Sequence, residues 1–414
     1  VSRRVVITGL GTVSPVGNTV NEAWENLKAG KSGISLITRF DTSDLVTKFA
    51  GEIKDFDAKK LIGRKEARRM DRFTQYALVA VQEALDHSQL LENGLDRDRV
   101  GMAIGSCIGG LDTITGQYDV LKERGPNRLN PFGIPMMISD TAGARIAIDY
   151  NFRGPNMAIV SACATGNNAI GEAFEMIARG AAEVMIAGGA EAGNSPLIIG
   201  GFNVMGVLAT DNDNPEKACR PFDLNRSGFA LGEGAAILVL EELEHARQRG
   251  ANILAELIGY GTSVDAYHMA ASPEDGGGAI LAVNRAIERA GIKPEEIDYI
   301  NTHGTGTQLN DKSETHVIKQ VMGEHAYNVH ITSSKSMTGH LMAGAGAIEA
   351  IVCVKTLTDG IITPTINYET PDPECDLNYT PNEAKQADVT VAMSNSFGLG
   401  GHNATLILKK YTES

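Results

Sequence analysis

One plan, written twice, constrains this chain more than any other feature: a short strand, a turn of small residues, then an Ala/Gly-rich helix. Residues 157–180 carry it first, with Cys163 at the turn. Residues 330–358 carry it again, with Lys335 and His340 in the turn and Gly344, Ala345, Gly346, Ala347 and Ala350 opening the helix. Small residues at that density permit close helix–helix approach. Further strands are expected at 5–8, 99–104, 157–162, 182–187 and 235–241, and helices at 76–87 and 167–179. In the second helix Ala169, Ile170, Ala173, Phe174 and Ile177 recur at helical spacing. Strands alternating with helices imply buried sheets and an α/β chain. The expectation is a layered α/β/α/β/α fold of two pseudo-duplicated halves, residues 1–250 carrying Cys163 and residues 251–414 carrying His303 and His340.

Composition removes several function classes. The net charge is 37 − 51 = −14, which disfavours nucleic acid, whose phosphates need a basic surface. No apolar run approaches the roughly 18 residues of a membrane span. Five scattered cysteines without a CxxC pair speak against a disulfide framework or zinc cluster and suit a reducing, cytoplasmic setting. Thr8-Gly9-Leu10-Gly11 begins like a dinucleotide fingerprint, but Pro15 stands where its helix should run. Gly30-Lys31-Ser32 lacks the first P-loop glycine, Glu25 occupying that place. Nine histidines include no HExxH, so no metal site is expected.

Three residues could carry chemistry. Most cysteines are packed core residues, but Cys163 ends an apolar run and opens a helix through Ala164-Thr165-Gly166. Helix N-terminal N–H groups favour thiolate there, and small neighbours leave room for an acyl group. His303, in Asn301-Thr302-His303-Gly304-Thr305-Gly306-Thr307, follows an expected strand at 297–300. His340 ends Lys335-Ser336-Met337-Thr338-Gly339-His340. Both sit in Gly/Ser/Thr-rich loops after strands, where backbone approaches a ligand. A third loop, Asn395 to Asn403 by way of Gly398-Leu399-Gly400-Gly401, is expected between strands at 389–394 and 404–409. Its glycines would let N–H groups face an oxyanion.

Ser161-Ala162-Cys163-Ala164-Thr165-Gly166, His303-Gly304-Thr305, Lys335 to His340 and Gly398-Leu399-Gly400-Gly401 together resemble the β-ketoacyl-acyl carrier protein synthases, the synthase I/II branch above all and synthase II within it. The likeness spans 4–410. It implies the thiolase-like fold, a homodimer, no bound cofactor, and decarboxylative condensation of a malonyl-carrier thioester with an acyl group on Cys163. It further implies an oxyanion hole from the N–H groups of Cys163 and Leu399, with Phe397 beside the gate. His303 and His340 would steady the enolate, and Thr305 and Thr307 would hold the phosphopantetheine arm. Lys335 and Glu349 would form an ion pair behind the site, with Asp311 and Glu314 in the same polar layer. Ile108, Gly133 and Phe202 would shape the acyl pocket, Gly133 reaching it from a partner subunit.

Arg64, Lys65, Arg68, Arg69 and Arg72 fall on one face if 64–72 is a single helix. With Arg124 and Arg128 they would dock an acidic carrier protein, although intrahelical pairs to Glu66 and Asp71 compete. Leu399 stands where the family commonly has a gating phenylalanine, Gly133 replaces a second phenylalanine, and Ser227 replaces an aspartate. Thr302, Gly306 and Gln308 shift the His303 loop toward a form frequent in polyketide synthases. A ketosynthase of a type II polyketide, polyene or unusual fatty-acid pathway is therefore an alternative, in a heterodimer with a chain-length factor. A chain-length-factor-like role for the chain itself is disfavoured by the retained Cys163.

Overall fold

A computed structural model describes residues 3–91 and 94–413. Ten strands form the main sheet: β1 (Val5–Val13), β2 (Val100–Gly105), β3 (Asn156–Met157), β4 (Val184–Glu191), β5 (Gly234–Glu242), β6 (Ala255–Val264), β7 (Tyr299–Asn301), β8 (His330–Thr332), β9 (Val391–Gly398) and β10 (His402–Lys409). Their order is β8-β7-β9-β10-β6-β1-β5-β4-β2-β3. Reading outward from β1, successive pairings through β5, β4, β2 and β3 are antiparallel, antiparallel, parallel, parallel. Outward from β6, through β10, β9, β7 and β8, the sequence of pairings is the same. The duplication is therefore real, and the halves are joined by a three-residue antiparallel seam, Val5–Ile7 against Ala255–Leu257.

The helices explain the layering. α1 (Arg72–Ser88) and α3 (Gly277–Ala290) each cover one half, and α4 (Gln308–Met322) packs beside α3. Between the halves lie α2 (Thr165–Ala178) and α5 (Ala345–Asp359), which touch strands of both halves and each other. Twelve of the 14 residues of α2 and 12 of the 15 of α5 are buried, so neither helix keeps a solvent face. Their approach is as close as the small residues predict: a Cβ on Gly166 would lie 2.7 Å from the Ala347 nitrogen, and one on Gly346 would lie 2.6 Å from Asn167 Oδ1. The result is the five-layered α/β/α/β/α arrangement.

Three local expectations are corrected. Of the strand expected at 157–162 only Asn156–Met157 pairs, at the sheet edge, because the chain must then turn into the Cys163 loop. The 64–72 helical face does not form: a four-residue helix, Arg64–Ala67, ends before α1 begins. Buried Asp71 interrupts it in an extended conformation, its carboxylate accepting from the Thr113 N–H (2.8 Å) and hydroxyl (2.7 Å). The loop expected from Asn395 is mostly strand, β9 running on through Gly398 and leaving a tight turn at Leu399-Gly400-Gly401.

Candidate active site

Cys163 sits in a single 3-10 turn, Ala162–Ala164, that feeds directly into α2. Ala162 takes φ +50, a left-handed value that costs a non-glycine residue about 1 kcal/mol. Cys107 braces the turn, its thiol donating to the Ala162 carbonyl at 2.9 Å. The backbone N–H groups of Leu399 and of Cys163 itself both reach the Cys163 sulfur. Burial pushes this thiol up, and those two donors with the Lys335 charge pull it back. Leu399 owes its position to the turn after β9, where Gly400 and Gly401 have φ +81 and +75.

His303 follows β7, and His340 lies between the short helix Lys335–Thr338 and α5. The Cys163 sulfur and one nitrogen of each ring lie within 4.8 Å of one another. The two rings meet edge-on, centroids 5.4 Å apart at 83°. Phe397 stands 6.0 Å from His303, and Phe229 5.4 Å from His340. His340 Nδ1 accepts the Met342 N–H at 3.1 Å, so in the neutral ring the proton is on Nε2. That Nε2 is buried without a protein partner, a donor awaiting an acceptor. The same tautomer leaves Nε2 no lone pair for a metal, although a cysteine and two histidines this close otherwise look like ligands. Both imidazoles are held well below the ordinary histidine value, by burial first and then by the Lys335 ammonium. They are neutral N–H donors at neutral pH.

Lys335 Nζ lies 2.5 Å from Glu349 Oε1, each side chain 1% exposed. Burial pushes the Glu349 carboxyl up to about 7 against the pull of Lys335. Glu314 accepts the N–H groups of His303 and Gly304, both at 2.8 Å, and so fixes the His303 loop; burial pushes its carboxyl up to about 7. Asp311 accepts from the N–H groups of Phe222 (2.7 Å) and Gly306 (3.1 Å).

These groups open onto a cavity of about 440 Å³ whose lining includes Cys163, both histidines, Phe202, Thr305, Thr307, Phe397 and Leu399. The hydroxyls of Thr305 and Thr307 are 3.0 Å apart. Ile108 is not in the lining; it packs behind it in an apolar cluster with Phe202, Phe229 and Met342. Gly133 is elsewhere, opening the helix Gly133–Met137 and facing Gln117. Among the cations, Arg64, Lys65, Arg68, Arg124 and Arg128 are exposed. Arg69 stacks on the Phe132 ring at 4.7 Å, and Arg72 pairs with Asp112 at 2.8 Å. Glu66 pairs chiefly with Arg145, at 2.6 Å, rather than within its own helix. Sequence reasoning missed Cys107 and Phe229 as neighbours of the reacting groups. Cys107 could have been found by the rule that found His303, since it follows the end of β2.

Family models for the β-ketoacyl synthase N-terminal and C-terminal domains match residues 2–246 and 254–369. A relative from Synechocystis sp., named 3-oxoacyl-[acyl-carrier-protein] synthase 2, is 50% identical over 99% of this chain and 98% of its own. The ishigamide ketosynthase/chain length factor structure matches with a TM-score of 0.93 and 37% identity over the full length of both chains. A ketosynthase structure described as a type II PKS acyl-carrier protein in complex with its ketosynthase bound to the hexaketide matches with a TM-score of 0.91 and 34% identity, again over both full lengths. With both domain models in sequence and a whole-length relative at half identity, the chain belongs to the β-ketoacyl synthase family.

Proposed function

We propose that this chain is a 3-oxoacyl-[acyl-carrier-protein] synthase that elongates fatty acids by decarboxylative Claisen condensation in the cytoplasm, its N-terminal half (1–250) supplying the nucleophile and its C-terminal half (251–414) the two imidazoles. The observation that carries the reading is the convergence of one thiol and two neutral imidazoles within 4.8 Å, beside a pair of backbone N–H groups. The name borne by the Synechocystis relative supports it.

The Cys163 sulfur attacks the acyl thioester of a carrier-bound phosphopantetheine. The carbonyl oxygen becomes an oxyanion held by the N–H groups of Cys163 and Leu399, each worth about 3 kcal/mol in such sites. The C–S bond to pantetheine breaks, and the pantetheine thiol leaves with the proton of Cys163. A malonyl thioester then enters the throat past Thr305 and Thr307. Its C–CO2 bond breaks, and the enolate oxygen receives N–H donation from His340 Nε2 and the His303 ring. Neutral donors suit this step, since an imidazolium would protonate the enolate and waste it. The enolate carbon attacks the acyl carbon, Cys163 departs as thiolate and is reprotonated, and a 3-oxoacyl thioester is released.

The chain's cofactor is none; its substrates arrive on a carrier. Arg64, Lys65, Arg68, Arg124 and Arg128 form the docking face, and their exposure on a chain of net charge −14 suits an acidic partner. A homodimer is supported by the open edge at β3 and by Ile134, Ile148 and Val160, which are 65%, 75% and 57% exposed. Gly133, buried at the start of the helix that carries Ile134, would border the acyl pocket of the partner through its backbone. Leu399, 37% exposed at the gate, favours a second reading in which the substrate is a bulkier or polyunsaturated chain of a specialised pathway.

Reconstitution tests this. The purified chain given saturated acyl-carrier and malonyl-carrier proteins is expected to form 3-oxoacyl product in step with CO2. Inactivity alone, relieved by a second ketosynthase-like chain, would shift the assignment to a heterodimeric system.

A further inference from the structure

Arg226 is absent from the chemistry above, yet it is 3% exposed and its guanidinium gathers backbone from both walls of the cavity throat. Its Nε donates to the Thr307 carbonyl at 3.3 Å and one terminal nitrogen to the Gln308 carbonyl at 3.2 Å. The other terminal nitrogen donates to the Asp223 carbonyl at 2.9 Å and to Asp372 Oδ2 at 2.5 Å. Asp311, which also holds the Gly306 N–H, lies 3.6 Å from Nε. The stitching continues beside the guanidinium: the Gln308 side-chain Nε2 donates to the Arg226 carbonyl at 2.7 Å, and the Gly228 N–H to the Gly306 carbonyl at 3.0 Å. Ser227 and Gly228 line the cavity on one side of this hub, Thr305 and Thr307 on the other.

We propose that Arg226 is a positioning residue that sets the width of this throat and the aim of Thr305 and Thr307, and so determines how well a pantetheine arm is held. It touches no reacting atom. The role rests on the function proposed above and needs the planar fork of arginine, because a lysine ammonium cannot serve three carbonyls and a carboxylate at once.

The test uses the full-length enzyme with Arg226→Lys and Arg226→Gln. Substrates are an acyl-carrier protein and the matching acyl N-acetylcysteamine thioester, which lacks most of the arm. The expected result is a rise of about tenfold in KM for the carrier substrate with kcat within about twofold, the signature of lost ground-state positioning. KM for the short thioester should move less than about twofold, and so should the rate of Cys163 alkylation by iodoacetamide. Equal losses on both thioesters, or a fall in kcat at constant KM, would show general structural support and overturn the role. Should the Arg226 variants fail to fold, Asp372→Ala removes one acceptor of the guanidinium and leaves the carbonyl contacts. It should raise the carrier KM in the same direction by a smaller factor, and no rise overturns the proposal. A wild-type chain that takes an acyl group from neither thioester defeats the reading of the whole site, which is a different result from wild-type activity with unresponsive Arg226 variants.

Discussion

The two halves place near-identical turns at the heads of their central helices, and only one of them carries a thiol. Ala162-Cys163-Ala164 and Met342-Ala343-Gly344 are both 3-10 turns, and both start on a left-handed non-glycine residue, φ +50 and +49. The strain therefore belongs to the duplicated fold, which must swing the chain into a buried helix, and is no mark of chemistry. What differs is the side chain installed: a thiol in the first half, the Ala343 methyl in the second. Two residues before each turn the contrast reverses. The first half has Val160, 57% exposed at the edge, whereas the second has His340, 2% exposed and locked by the Met342 N–H. At the fifth position of each helix, the first half has apolar Ala169 where the second has Glu349, which carries the buried ion pair. On the proposed function, one half would supply the nucleophile and the other the electrostatics, from the same backbone.

The most severe way to erase the difference is Cys163→Ala, which gives both turns an alanine. Condensation should fall by at least ~10⁴-fold, as removing a nucleophile does, while malonyl-thioester decarboxylation measured as CO2 release persists on the intact histidines. Substantial condensation by this variant would make the two turns chemically equivalent. His340→Ala strips the second half of its donor. Decarboxylation should drop by about 10²–10³-fold, the usual cost of one oxyanion donor, with acylation of Cys163 from an acyl thioester affected less.

Lys335→Met sharpens the electrostatic side. Burial and the Lys335 charge both depress the imidazoles below 6.5. Removing the charge lets their values climb back toward 6.5, so protonation sets in at higher pH. The acid limb of the decarboxylation profile should therefore move upward relative to wild type; an unmoved or lowered limb would show that Lys335 does not hold the rings neutral. The variant also leaves Glu349 buried without its partner, a change that destabilises by about 3–5 kcal/mol when one member of a buried pair is lost. The smallest effect is expected at the surface. Arg68→Glu should raise KM for carrier-bound substrate by roughly threefold to tenfold at low salt, an effect that shrinks as salt screens the charges. The KM for a small thioester should stay unchanged.

Much of this was legible in the residues. The duplication was visible as two strand–turn–helix units, and the pairing orders of the halves repeat it strand for strand. The joining of Cys163, His303 and His340 is legible in their turns after strands and in the family resemblance of the motifs that carry them, and the three meet in the structure. Less legible were features decided by neighbours distant in sequence. The basic run at 64–72 has helical spacing, but the demand of Thr113 on Asp71 breaks the helix, and Arg69 and Arg72 turn to Phe132 and Asp112. Residues 157–162 have strand character but no neighbour to pair with beyond Met157. The tautomer of His340 rests on one backbone N–H two residues ahead, a contact that periodicity does not encode. Cys107 reads in the sequence as one of five scattered thiols, and only the fold brings it to donate to the carbonyl just before Cys163.

The most direct measurement is intact-protein and peptide mass spectrometry after the chain meets acyl-carrier protein, then malonyl-carrier protein. The account predicts a single acyl adduct on Cys163 that disappears on malonyl addition, with one CO2 and one 3-oxoacyl thioester formed per adduct lost. An adduct on Cys107 or any other residue, or an adduct on Cys163 that malonyl-carrier protein leaves in place, would contradict it.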